Sequence, residues 1–263
     1  MKLIKNHNKV SGKRINSTIR KSSLVGKYVP IKENVKLIDD HHVSLLHIPD
    51  NPLGVGETGE VEISHIKDVF SDREEMDVTL NEDKLTIRLG KNEYWFLVTD
   101  NLYEPKIPEI TDFTTDFELD PSELAKFVKG HKDGFVRLVA TYDKTGKKTV
   151  FAFLYEPVRE YGNIYPVDKL VGGLDLHTTW NGAEFSTAYP SERLMKMDAF
   201  GTNAKIQTRT NYPFVMSGWD AGVEYQYLVA PQINEGNVDF TEREKNWIAS
   251  HNKKLFKWWN RKS

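Results

Sequence analysis

Cysteine is absent from the 263-residue chain, which excludes disulfides and thiolate-bound metal and removes any argument for an oxidising compartment. Long apolar runs are absent too. None approaches the roughly 20 residues that span a bilayer, and residues 1–27 lack the apolar core of a signal peptide. The expectation is an intracellular, cytoplasmic protein with no membrane contact. There is no Gly-rich phosphate loop, no G-x-S-x-G and no H-E-x-x-H, so common signatures of nucleotide, acyl-transfer and zinc-protease chemistry are missing. One stretch, Asp39-Asp40-His41-His42 with His47 nearby, has the donor types of a metal site. On a strand, however, successive side chains point to opposite faces, so His41 and His42 diverge, and the reading is no metal. A non-enzyme without catalytic residues or cofactor is expected.

What the chain does have is segregated charge. The net charge of −2 conceals eight Lys/Arg and no acid in residues 1–27, seven Lys/Arg against Glu244 in residues 243–263, and a net −16 between them. Such a pattern repels polyanions over most of a surface and attracts them in a few places. The plainer alternative is a solvated acidic body with basic ends.

The length fits one large or two medium domains, and internal similarity favours two. Gly59 to Pro105 and Gly182 to Pro231 each open with a short strand running into a short helix (VEISHIKDVF and AEFSTAYPSERLMKM). Each closes on an apolar strand followed by proline (YWFLVTDNLYEP and YQYLVAP). Similarity at about half the chain length indicates duplication of one unit. Between the copies, Asn101–Asp120 holds Pro105 and Pro108 and reads as an extended connector without strand or helix. The expected divisions are an N-terminal domain 1–104, a connector 105–119, a C-terminal domain 120–235 and a tail 236–263.

Local patterns fill in the copies. A strand at Lys2–Lys5 and a helix over Lys9–Ser22, with Ile15 and Ile19 on one face, open the chain. Ser64 is placed as the N-cap of a helix carrying Ile66, Val69 and Phe70. DVTLN, KLTIRLG and EYWFLVTD are strands. Asp120-Pro121-Ser122-Glu123 is a helix start, with Asp as cap and Pro in the first turn; Leu124, Phe127 and Val128 share one face, Lys126 and Lys129 the opposite one. A hairpin of FVRLVATYD and TVFAFLYE follows, then a helix over Ser191–Phe200 with Leu194 and Met197 on one side and Arg193 and Lys196 on another. Without βαβ alternation, the class is α+β: short helices on antiparallel sheets.

The stretch LIDDHHVSLLHI resembles a strand-turn-strand of the proliferating cell nuclear antigen (PCNA) type of DNA sliding clamp, of the form M-D-x-x-H/R-V-x-L. VEISHIKDVF is similar to that family's strand-to-helix segment, YLVAPQI at 227–233 to its closing strand, and PKIPEI to its interdomain connector. These motifs cover about residues 28–235 in order. The resemblance implies two topologically similar domains per chain, assembling head to tail into a homotrimeric ring with helices lining a hole for double-stranded DNA. It implies sequence-independent phosphate contacts from Lys13, Arg14, Arg20, Lys67, Lys126, Lys129, Arg193 and Lys196. It further implies a groove beside the connector, lined by Ile38, Val43, Ile107, Pro108, Pro213, Ala230, Pro231 and Ile233. There, DNA polymerase and other clients insert a Q-x-x-Φ-x-x-aromatic-aromatic turn. A clamp loader is the remaining implied partner, and a prokaryotic cell or virus-infected prokaryotic host the implied setting. A clamp-like regulator that does not encircle DNA is an alternative, and a metal-dependent nucleic-acid enzyme a weaker one.

Beyond the family pattern, Asn252, Leu255, Trp258 and Trp259 have the spacing of that client motif, with Asn in place of Gln. Three roles are open for this segment: occupying a clamp groove, stacking on DNA through its tryptophans and five Lys/Arg, or packing on its own body.

Overall fold

The computed structural model describes residues 7–40, 43–66, 70, 72, 74–100, 105, 110–143, 145–158, 167–232 and 240–259, the stretch 251–259 as backbone. The chain forms two compact units. Unit 1 gathers Met1–Thr111, Ala199–Ala204 and Val215–Val229, and unit 2 gathers Asp112–Asp198, Lys205–Phe214 and Ala230–Ser263.

Unit 1 opens with β1 (His7–Ser11) and α1 (Gly12–Ser22). The helix starts three residues later than expected because Lys9–Ser11 pair with Asp77–Glu75 as strand; the expected strand at Lys2–Lys5 lies outside the described residues. Ile15 and Ile19, one turn apart on α1, are both buried. There follow β2 (Tyr28–Pro30), β3 (Val35–Ile38), β4 (Ser44–Ile48), β5 (Glu60–Glu62), α2 (Ile63–Ile66), β6 (Glu75–Asn81), β7 (Lys84–Leu89) and β8 (Asn92–Leu97). One sheet has the order β1-β6-β7-β8. Its inward residues Val10, Met76, Val78, Leu85, Ile87 and Phe96 form one core with Ile15, Ile19, Ile63 and Ile66 of the helices. Ser64 is not the N-cap: α2 already begins at Ile63, and the Ser64 hydroxyl donates to Glu62 at 2.6 Å. Val69 lies outside the described residues.

Unit 2 begins with β9 (Thr115–Leu119), which corrects the reading of that stretch as irregular connector. Thr115, Phe117 and Leu119 are buried while Glu118 is exposed, the period-2 pattern of a half-buried strand; Phe117 pairs with Trp180. Next come α3 (Pro121–Phe127), β10 (Phe135–Tyr142), β11 (Lys148–Val158), β12 (Val167–Asp175), β13 (Trp180–Gly182), β14 (Phe185–Pro190) and α4 (Ser191–Leu194). A 3-10 turn, Met195–Phe200, then leads to β15 (Ala204–Thr208). The α3 start is as the sequence indicates: the Asp120 carboxylate accepts from the Ser122 N–H at 2.8 Å, and Pro121 occupies the first turn. The last two strands of this second copy, β16 (Phe214–Asp220) and β17 (Val223–Val229), lie almost wholly within unit 1. The chain closes its described part with α5 (Glu242–Trp259) in unit 2.

The two copies match element for element, β13 and α5 apart: strand, helix, three strands, strand, helix, three strands. In unit 2 the sheet order is β12-β11-β10-β14. One face carries Val136, Leu138, Ala140, Val150, Ala152 and Leu154, all buried. The other carries Phe135, Phe151, Phe153 and Tyr155, packed with Phe240, Trp247 and Ile248. The stretch 236–263 was expected to be a tail apart from the domain, but its residues Phe240, Trp247 and Ile248 belong to this core.

Candidate nucleic-acid interface and partner surfaces

The cations expected to meet DNA differ in how free they are. Lys13 on α1 and Lys126 and Lys129 at α3 are exposed. Arg14 is half-buried and pairs with Asp50 at 2.6 Å. Arg20 is exposed but donates to the Ala199 carbonyl at 3.0 Å and lies 3.4 Å from Asp220. Lys196 is half-buried, and Lys67 lies outside the described residues. Arg193 corrects its prediction: it is only 6% exposed. The α-helix there is the single turn Ser191–Leu194, and Ser191, Arg193 and Leu194 of that turn are all buried, so a helix this short has no basic outward face.

A cation that sequence reasoning left out holds α1 in place. The Lys21 side chain has no exposed surface; its ammonium reaches Asp220 and Ser17, each at 2.5 Å, and lies over the Tyr225 ring at 5.4 Å. Burial pulls the Lys21 pKa down, against the raising effect of Asp220. Burial raises that of Asp220, but the hydrogen bonds and charge of Lys21, with Ser17 and Arg20, outweigh it and hold the carboxyl below its ordinary range. Ser17 and Lys21 are four apart, so one helix face presents both to Asp220.

The residues expected to line a partner groove fall in both units. In unit 1, Ile38 ends β3 and Val43 precedes β4, both half-buried. The turn between those strands is built by Asp39, whose carboxylate accepts from the N–H of Val43 at 2.8 Å and from the N–H and hydroxyl of Ser44 at 3.2 and 3.0 Å. Asp39 thus has a structural occupation, and His47 faces Gln226 across β4 and β17 at 3.3 Å. Among the described residues no group of three or more His, Cys, Asp or Glu could hold a metal. Beside this turn, Ile38, Leu37, Lys27, Tyr28, Lys36 and Pro105 line a cleft of about 320 Å³. Pro213, Ala230 and Pro231 belong to unit 2 and are half-buried. Ile107, Pro108 and Ile233 lie outside the described residues.

Asn252, Leu255, Trp258 and Trp259 fall on the last turns of α5, described as backbone. The first half of this helix is anchored by residues the sequence reading did not single out. Thr241 and Glu244 form a reciprocal cap, with the Thr241 N–H on the carboxylate at 2.8 Å and the Glu244 N–H on the hydroxyl at 3.3 Å. The spelling Thr241-Glu242-Arg243-Glu244 was the available signal. The same fully buried carboxylate accepts from Tyr155 Oη at 2.7 Å and from the Arg137 guanidinium. Burial, ahead of these contacts, pushes the Tyr155 hydroxyl up to about 12.

The copies also share a joint. Strand β17 pairs antiparallel with β4, Tyr227 opposite Leu46 and Leu228 opposite Leu45. Its equivalent in the first copy is β8, and the two read EYQYLV and EYWFLV at 224–229 and 93–98. The equivalent of β4 in the second copy is β12. Both β8 and β12 are edge strands of their sheets. Inside the β17–β4 joint Leu228 is half-buried and Gln226 exposed, while their equivalents Leu97 and Trp95 are 59% and 63% exposed.

A duplicated strand-helix-three-strand unit on antiparallel sheets is the fold of the PCNA-type DNA clamps. In particular, the chain is similar to the proliferating cellular nuclear antigen of Entamoeba histolytica (TM-score 0.66, 13% identity, 88% of this chain and 100% of that one). It is also similar to a structure of the C-terminal region of FEN-1 bound to A. fulgidus PCNA (TM-score 0.63, 17% identity, 87% of this chain and 99% of that one). No family model and no curated protein matches it.

Proposed function

We propose that this chain is a DNA sliding clamp: a non-enzymatic ring, closed head to tail around duplex DNA, that tethers a polymerase and other replication proteins. The observation carrying this reading is the β17–β4 joint together with its two unjoined equivalents. A molecule that makes a contact once internally and carries both halves of it again on free edges associates heterologously, and such a contact gives a closed ring when its rotation closes. Three chains per ring is the number the clamp fold suggests. Within the hole, Lys13, Lys126 and Lys129 are the cations best placed to meet phosphates, since they are exposed on or beside α1 and α3. Such contacts give affinity without sequence information and weaken with salt. The cleft at Ile38 and Pro105 is the unit 1 part of the client groove, and a clamp loader would open the ring.

The test is charge reversal at Lys126→Glu and Lys129→Glu, read by primer extension on circular templates. Processivity should fall and become more steeply salt-sensitive while the oligomer stays intact. Unchanged extension removes these lysines from the DNA-facing surface. One observation favours a second reading, a regulator that keeps the fold without encircling DNA: Arg14, Arg20 and Lys21 of α1 are already engaged with Asp50 and Asp220. Light scattering separates the two, because a monomer at all concentrations is incompatible with a ring.

A further inference from the structure

The aromatic face of the β12-β11-β10-β14 sheet is covered by a helix that does not stop at the sheet. Glu244 engages Arg137 of β10 and Tyr155 of β11. Trp247, one turn later, packs on Phe153 of β11 and against Gly173 of β12, where a Cβ would stand 2.7 Å from its ring. The axis of α5 therefore crosses the strands toward β12, which is the free edge. The helix continues to Trp259, about 18 Å beyond Trp247 at 1.5 Å per residue, whereas one strand is only about 4.8 Å wide. Beyond its contact with β12 the helix has more length than that one strand can cover. Its second half contains Leu255, Phe256, Trp258 and Trp259.

The free edge of the other four-stranded sheet, β8, has a complementary surface. On β8, Phe96 faces the core with Ile15 and Ile19 of α1, so Trp95 and Leu97 stand on the face away from α1. On β12, Phe127 of α3 lies 3.8 Å from a Cβ at Gly172 while Trp247 lies against Gly173, so α3 and α5 take opposite faces of the strand. In a sheet running from β12 of one copy into β8 of the next, with α3 and α1 on the same side, α5 and the pair Trp95 and Leu97 share the other side.

We propose that the second half of α5 is a strap across the joint between copies, seated on Trp95 and Leu97 of the neighbouring chain. This rests on the head-to-tail reading above and adds a specific second contact to it. The occupant is a second copy of this chain: α5 reaches β12, an end strand of its sheet, and Trp95 and Leu97 stand on β8, the end strand that would continue that sheet on the same side.

The chain has no cysteine, so single-cysteine variants report the geometry directly. Leu97→Cys and Trp258→Cys chains, one carrying a size tag, are mixed and oxidised; Glu93→Cys and Val171→Cys chains are treated likewise to report the strand joint. A third measurement removes residues 251–263, leaving the Glu244, Trp247 and Ile248 anchor intact, and follows self-association by light scattering. The expected result is a mixed disulfide in both pairs and at least tenfold weaker association after truncation. A disulfide in the strand pair alone, with association unchanged by truncation, overturns the strap and leaves the ring. Absence of both disulfides overturns the joint and the strap together. A peptide of residues 251–263 that displaces a client-motif peptide from the truncated chain also overturns the strap, since the segment would then belong to the client groove.

Discussion

The anchor of α5 makes a sharp prediction about a buried ion pair. Glu244 has no exposed side-chain surface, Arg137 is 13% exposed, and the two are in direct contact. Replacing Arg137 by Met leaves a buried carboxylate with only the Thr241 N–H and the Tyr155 hydroxyl among the hydrogen bonds described above. Breaking such a pair from one side costs about 3–5 kcal/mol, mostly as the penalty of the stranded charge. Glu244→Gln removes that charge but keeps an acceptor for Thr241 and Tyr155, and Gln is compatible with the cap. The double variant Arg137→Met/Glu244→Gln should therefore recover most of the loss, giving a coupling of at least about 2 kcal/mol. With a urea m-value of about 2 kcal/mol/M, Arg137→Met alone should move the unfolding midpoint down by roughly 1.5–2.5 M. Urea titration of the four proteins, followed by circular dichroism, measures the cycle. A single-variant loss below about 1 kcal/mol with additive effects would refute the argument that this contact, and not the aromatic packing around it, fixes the helix.

Two further outcomes follow from the same face. Gly173→Ala should cost about 1–3 kcal/mol, because its Cβ would meet the Trp247 ring, whereas Gly172→Ala, with its nearest neighbour at 3.8 Å, should be neutral or mildly stabilising in thermal unfolding. Tyr155, raised from 10 to about 12, holds its proton more tightly folded than unfolded. Its contribution is complete below pH 10 and is lost as pH rises toward 12, and Tyr155→Phe should flatten stability measured across that window.

Much of the fold was legible because its elements have local causes. The α3 start is set by Asp120 and Pro121, and the strands by alternation such as that of KLTIRLG. The β9 strand carries the same signal in Thr115, Phe117 and Leu119, seven or more residues beyond the prolines at 105 and 108 that mark the connector. The covering of β11 was also readable: Val150 to Tyr155 is an unbroken apolar run, which demands burial on both faces, and so required a segment such as α5. The site was less legible. A basic residue drawn on a helix face says nothing of an acidic partner remote in sequence, so the pairings of Arg14 with Asp50 and of Arg20 and Lys21 with Asp220 could not be foreseen. Nor could the pairing of β17 with β4, where strands about two thirds of the chain apart meet through contacts that no local pattern encodes.

The interleaving of the two units along the chain has a consequence for how the protein is made. Unit 1 lacks β17, the partner of β4, until the ribosome has passed residue 229, and the aromatic face of unit 2 stays bare until it has passed residue 250. At about 5–20 residues per second, residues 112–229 occupy roughly 6–24 s of synthesis. Throughout that interval the emerging chain displays an unpaired strand edge and, later, the rings of Phe135, Phe151 and Phe153. The usual order, in which an N-terminal domain folds before the next one is translated, is open to this chain only in part: the core of Val10 to Phe96 is complete early, but β4 waits for β17. Its two units reach completion almost together.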